Sequence, residues 1–153
     1  MVAKSVWGPA IWYLFHTLSF KLNPNHFNEV KDKLLDHFIS ICNSLPCPEC
    51  AEHARKELKH LDKSKITNKK ELCIYFIKFH NKVNVRNNKK IFTFDEFVSK
   101  YNTSVTRNVT ANFFIVLSKS DHNLKLMTNS FQRSTSVLDF KKWLTVNSSK
   151  FSP

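Results

Sequence analysis

Two cysteines separated by Pro48 and Glu49 stand in the stretch Leu45-Pro46-Cys47-Pro48-Glu49-Cys50-Ala51-Glu52-His53. A helical pattern begins directly after Cys47, which puts the first sulfur at or near a helix N-terminus. Unpaired backbone N–H groups and the positive end of the helix dipole favour a thiolate there, the nucleophilic form of cysteine. A second thiol three residues on can close a disulfide. The same spacing also serves as half of a zinc site or as a structural pair. On this motif alone all three readings stand: redox-active dithiol, zinc half-site and structural pair.

Other residues with chemistry recur at helical spacing. His80 and Asn84 lie one turn apart and can jointly hydrogen-bond one planar polar ligand, or form a half-buried polar edge capped by water. Trp12, Phe15 and His16 share one side of an earlier segment.

Positioning these groups falls to helices. Residues 9–20 predict a first helix, with Pro9 in its first turn. Phe27, Val30, Leu34, Phe38 and Ile41 recur at three- and four-residue steps and predict a second over 26–43. A third starts near Cys47 or Pro48 and runs to about residue 61, followed by a polar connection over 62–68. A fourth covers 69–85. Leu72, Tyr75, Phe76, Phe79 and Val83 form its apolar stripe, and Cys73, Ile77, His80 and Asn84 a neighbouring one. Residues 94–101 predict a short fifth helix, with Thr93 and Glu96 spaced as a capping box. Beyond about residue 103, Ser, Thr and Asn become frequent. There 113–117 and 124–127 predict two short strands around a turn at 118–123, and 138–146 a small amphipathic helix.

Composition narrows the function. A hydrophobic fraction of 42% with 14 phenylalanines suffices for one packed core among 153 residues. Gly8 is the one glycine, which excludes glycine-rich phosphate loops such as the dinucleotide fingerprint and the P-loop. Any cofactor is therefore held some other way. The net charge of +12 comes without a dense Lys/Arg run or aromatic–basic interleaving. It reads as a solvated basic surface and not as a nucleic-acid site. The apolar run 6–20 is interrupted by Pro9, two tryptophans and His16, and no small-residue cleavage site follows it. It is also shorter than the ~20 residues of a membrane span. The expectation is a core helix in a non-exported protein with no membrane partner. Four cysteines do not make a disulfide-stapled secreted scaffold.

Three separated motifs stand in one order. Trp7-Gly8-Pro9-Ala10-Ile11-Trp12-Tyr13-Leu14-Phe15-His16-Thr17 comes first, then Cys47-Pro48-Glu49-Cys50-Ala51-Glu52-His53. His80-Asn81-Lys82-Val83-Asn84 follows, with a basic loop containing Lys89. The set resembles the Erv/ALR family of FAD-linked sulfhydryl oxidases, especially the short forms encoded by large DNA viruses. The likeness covers about residues 5–101.

The resemblance implies an all-α fold, a four-helix bundle plus a short fifth helix that holds FAD without a glycine loop. The expected division is an oxidase domain over 1–103 and a C-terminal extension over 104–153, of mixed or irregular structure and unread role. Carried over by position, the resemblance makes Cys47 the sulfur that exchanges with substrate and Cys50 the flavin-proximal one. It groups Trp7, Trp12 and His16 with the cofactor, puts His53 near the FAD, and His80 and Asn84 around the adenine end. It gives Asn81 a packing or cofactor role and Lys89 the phosphates or adenosine edge. Tyr101 stands where the family usually has a tryptophan stacked on the adenine, so an aromatic face is kept. The implied reaction oxidises protein thiols, received directly or through a thioredoxin-like or small dithiol carrier, and reduces dioxygen to hydrogen peroxide. A homodimer is implied, with a cytoplasmic setting, in host cytoplasm or virion.

The chain departs from the pattern in places. Ile77 occupies the fourth-helix position of a structural disulfide common in the family, and no cysteine follows residue 73. Cys42 and Cys73 are extra; they can pair, lie buried as small hydrophobes, or, for Cys42, shuttle electrons. The competing reading is a redox-inactive zinc module using Cys47, Cys50 and two histidines, although a second short-spaced ligand pair is missing.

Overall fold

A computed structural model describes residues 2–119 and 127–153. It contains helices α1 (Lys4–Lys21), α2 (Phe27–Cys42), α3 (Pro48–Leu58), α4 (Lys69–Arg86), α5 (Phe94–Asn102), α6 (Thr106–Leu117) and α7 (Met127–Asn147). The fold is all-α, as expected. Extended pairing among the described residues amounts to one isolated antiparallel bridge between Leu22 and Phe151. No helix among them is long and apolar enough to cross a membrane.

α1 is the axis of the molecule. It buries residues from Trp7 to Ser19 on most of its sides, so it must be surrounded by other elements. α4, α5 and α6 pack along it, and α2 reaches it through Phe38, whose ring meets Phe15 at 4.8 Å. α1 begins at Lys4, which puts Pro9 inside the helix and not in its first turn. The missing N–H forfeits one bond toward the preceding turn. Burial of Trp7 before Pro9, and of Ala10 and Ile11 after it, keeps both sides helical.

The two stripes of α4 face different partners. Leu72, Phe76 and Phe79 join the main core with Phe15 and Phe38. Cys73 and Ile77 join a smaller cluster with Phe97 and Tyr101 of α5. Apolar packing therefore ties α4 to α5 at Ile77. The capping box of α5 is present: Thr93 Oγ1 accepts the Glu96 N–H, and the Glu96 carboxylate accepts the Thr93 N–H.

The C-terminal segment is helical, against the expectation of mixed or irregular structure. Residues 113–117 end α6 and do not form a strand. Phe113, Val116 and Leu117 are buried at helical steps, and that burial overrides the strand preference of their aromatic and β-branched types. Of the second expected strand, 124–126 lie outside the described residues, and Met127 opens α7. The helix expected over 138–146 is the later part of α7. Phe113 and Phe140 meet the Phe15 ring at 6.4 and 5.4 Å, so both helices share the core built on α1. Backbone bonds from Asn23 N–H to the Lys150 carbonyl and from Thr106 N–H to the Pro153 carbonyl fasten the last residues.

Candidate active site

α2 ends at Cys42, and Pro46 and Pro48 keep the following residues from prolonging it. Pro48 takes the first position of α3, where its missing N–H costs nothing. Cys47 thereby becomes the N-cap, with φ −111° and ψ 111°, and its Sγ accepts the Cys50 N–H at 3.2 Å. The two sulfurs are joined as a disulfide. In that state neither is free to ligate a metal. Among the described residues no group of three or more His, Cys, Asp or Glu is placed to hold one. Cys42 and Cys73 are free and buried, and burial pushes both thiols up. They are not paired with each other.

Beside the disulfide lies a cleft of about 770 Å³, within the roughly 300–1,000 Å³ typical of small-molecule and cofactor sites. Trp7, Ile11 and Trp12 of α1 line it, facing Phe79, His80, Val83 and Asn84 of α4. Cys50 and His53 enter from α3, and Tyr101 from α5. Of the sulfur pair, Cys50 lines the cleft and Cys47 does not. Trp12 and His80 stack face to face, with ring centres 4.3 Å apart and planes within 5°, so each ring covers one face of the other at the cleft wall. Lys4, Arg86, Lys89, Lys90 and Lys100 also line the cleft, against the carboxylates of Glu57 and Glu96. That surplus of cations favours an anionic ligand.

Behind the wall, His16 Nε2 and His80 Nδ1 share a hydrogen bond of 2.9 Å. Burial, then the nearby charges of His80 and Lys100, holds His16 well below the usual histidine range. Burial, with Lys100 and Lys89, brings His80 down to about 4. Both rings are therefore neutral at pH 7, and one donates its proton to the bare nitrogen of the other. Nδ1 of His16 has no partner among the described residues.

Of the residues singled out from the sequence, Trp7, Trp12, Cys50, His53, His80, Asn84, Lys89 and Tyr101 all line the cleft. His16, Asn81 and Cys47 do not. His16 sits behind Trp12 and His80. Asn81 is a backbone clamp: its amide donates to the Phe92 carbonyl at 2.9 Å and accepts the Phe92 N–H at 3.1 Å. Phe92 and Lys100 line the cleft but were not singled out. The signal for Lys100 was its place next to Tyr101; Phe92 gave none, because the Asn81 clamp that sets it spans two elements.

The sequence model of the Erv1 / Alr family matches residues 9–103. The chain belongs to the Erv1 / Alr family. An African swine fever virus protein named FAD-linked sulfhydryl oxidase is 31% identical over 107 residues, covering 67% of this chain and 86% of that protein. The protein of that name from a second isolate is 29% identical over 105 residues, with the same coverage. A protein of invertebrate iridescent virus 3, provisionally given the same name, is 31% identical over 89 residues, 58% of this chain and 60% of that protein. No solved structure matches the chain. The Erv1 / Alr segment contains the disulfide and both histidines, and leaves α6 and α7 outside.

Proposed function

We propose that the chain is an FAD-linked sulfhydryl oxidase, which forms disulfides in substrate proteins by exchange at Cys47–Cys50 and uses FAD and dioxygen to carry the electrons away. The observation that carries this reading is the asymmetry of the disulfide: Cys50 lines a cofactor-sized cleft and Cys47 stands outside it. The cleft fits the group. The aromatic rings lining the cleft, Trp7, Trp12, His80 and Tyr101, suit a planar ring, and the lysines and Arg86 suit phosphates in a chain without a glycine loop. Trp7, Trp12, His53, His80, Asn84, Lys89 and Tyr101 would hold it, with His16 and Asn81 supporting them from behind.

In the chain's own chemistry, a substrate thiolate attacks Sγ of Cys47. The Cys47–Cys50 bond breaks as the mixed disulfide forms, and Cys50 leaves as a thiolate facing the cleft. A second substrate thiolate attacks the mixed disulfide, releasing the oxidised substrate and the Cys47 thiolate. The Cys50 N–H and the N-terminus of α3 stabilise the charge on that sulfur. Bound FAD would take the electron pair from the dithiol and deliver it, with two protons, to dioxygen as hydrogen peroxide. The neutral His16–His80 pair fixes the wall without adding charge to it.

This reading assigns the chemistry to residues 1–103, with 104–153 as an extension packed against them. It takes protein thiols as substrates, directly or through a thioredoxin-like or small dithiol carrier. It includes a homodimer and action in host cytoplasm or virion, for which the family resemblance is the support. FAD-loaded protein is expected to consume oxygen with dithiothreitol, and the Cys47→Ala, Cys50→Ala double variant to lose that turnover while keeping its flavin. Undiminished turnover in the double variant would overturn the assignment. Stoichiometric zinc without flavin would restore the zinc reading.

A further inference from the structure

We infer that α7 is the brace of the disulfide turn, and that Asn129 and Arg133 are positioning residues for Cys47–Cys50. The inference rests on the oxidase reading for its consequence in turnover, but not for its geometry. Between the end of α2 and Cys47, three successive backbone carbonyls are each taken by a side chain from elsewhere. Arg55 of α3 donates to Asn43 at 3.2 Å, Arg133 of α7 to Ser44 at 2.9 Å, and Asn129 of α7 to Leu45 at 2.8 Å. Carbonyls past a helix end have no partner within the helix and must find one outside it. Asn129 and Arg133 are one turn apart and so project from one face of α7. Ser40 and Ser136 continue the seam between α2 and α7 with a hydroxyl pair at 2.6 Å.

Arg133 is 2% exposed. Bringing a guanidinium that far out of water is costly unless its donors are satisfied, so its bond to Ser44 is built into the packing and is not an incidental surface contact. Leu45 lines the cleft, and Pro46, the next residue, is buried. Fixing the Leu45 carbonyl therefore fixes where the chain arrives at Cys47, while α3 carries Cys50. α7 lies outside the Erv1 / Alr segment, yet it holds the segment's most reactive turn. This gives the C-terminal extension a role: it presets the separation of the two sulfurs and raises their effective concentration toward each other.

The test compares Asn129→Ala, the double variant Asn129→Ala with Arg133→Met, Arg133→Lys, and Val146→Ser as a control on an exposed part of α7. One readout is the equilibrium of Cys47–Cys50 with a glutathione redox buffer, followed by alkylation of the freed thiols. The second is the rate at which dithiothreitol bleaches bound flavin without oxygen, with reoxidation by oxygen measured separately. The double variant is expected to shift the equilibrium toward the dithiol by about threefold to tenfold. Its bleaching should slow at least about fivefold while reoxidation is unchanged, because the loss falls on re-forming the Cys47–Cys50 bond as the dithiol gives up its electrons. Arg133→Lys, which keeps one charged donor, is expected to recover part of both, and Val146→Ser to change neither. If the double variant does not fold, as judged by helical circular dichroism, Asn129→Ala alone decides on the same two readouts. An unchanged equilibrium and bleaching rate in a folded variant would overturn the inference. The glutathione equilibrium needs no flavin, so a wild-type chain that binds no FAD but whose equilibrium shifts on mutation would overturn the oxidase reading and leave the brace standing.

Discussion

His16 and His80 meet through one short hydrogen bond, and burial keeps both uncharged near neutral pH. The unfolded chain carries ordinary histidines that take up protons as the pH falls through about 6.5. The folded chain refuses those protons until about pH 4 at His80. Stability is therefore complete above pH 6.5 and declines as the pH drops below it. At pH 5, above the range where most carboxylates titrate, His80 alone accounts for a loss of about 2 kcal/mol. Urea midpoints at pH 7 and pH 5 check this, and His80→Gln should shrink the difference between them. An equal difference in the variant would mean that His80 is not held neutral. The residue types of the site were legible, since Trp12, Cys50, His53 and His80 were all singled out and all line the cleft. Their depth was not: nothing in the spacing says that His16 lies behind His80, because that depends on how α1 and α4 pack.

Among the elements, helices α1 to α5 follow from periodicity and local caps. The Thr93–Glu96 box is complete within four residues, so a sequence can announce it. Contacts between elements are a different matter. Asn81 reaches from α4 to pair both backbone groups of Phe92 in the loop before α5, and Phe92 in turn lines the cleft. Asn81→Ala removes both bonds and leaves part-buried backbone groups unpaired, at a cost of about 1–3 kcal/mol. The same change should weaken flavin retention, because the Phe92 wall and the basic loop before it lose their anchor. Urea unfolding and the flavin dissociation constant check the two effects separately. Full stability in the variant would show that the clamp is dispensable. The strand reading of 113–117 failed for the same reason, since the short apolar run takes its helical form from burial against α1.

Across the whole molecule, rings from α2, α4, α6 and α7 converge on Phe15 of α1. The residues that carry the family motifs and the extension that does not are thus parts of one core. The composition predicted a core of this size from its phenylalanines, but not that α6 and α7 would complete it. The +12 charge gains a local meaning as well, since cations outnumber carboxylates around the cleft. The central claim is that this core holds a flavin against Cys50, and an anaerobic titration of the purified, FAD-loaded protein with dithiothreitol tests it most directly. The account predicts a bound-flavin absorption spectrum that bleaches with dithiol, returns with oxygen, and does not bleach in the Cys47→Ala, Cys50→Ala variant. A chain that binds no flavin, or a double variant whose flavin bleaches as fast as the wild type's, would contradict it.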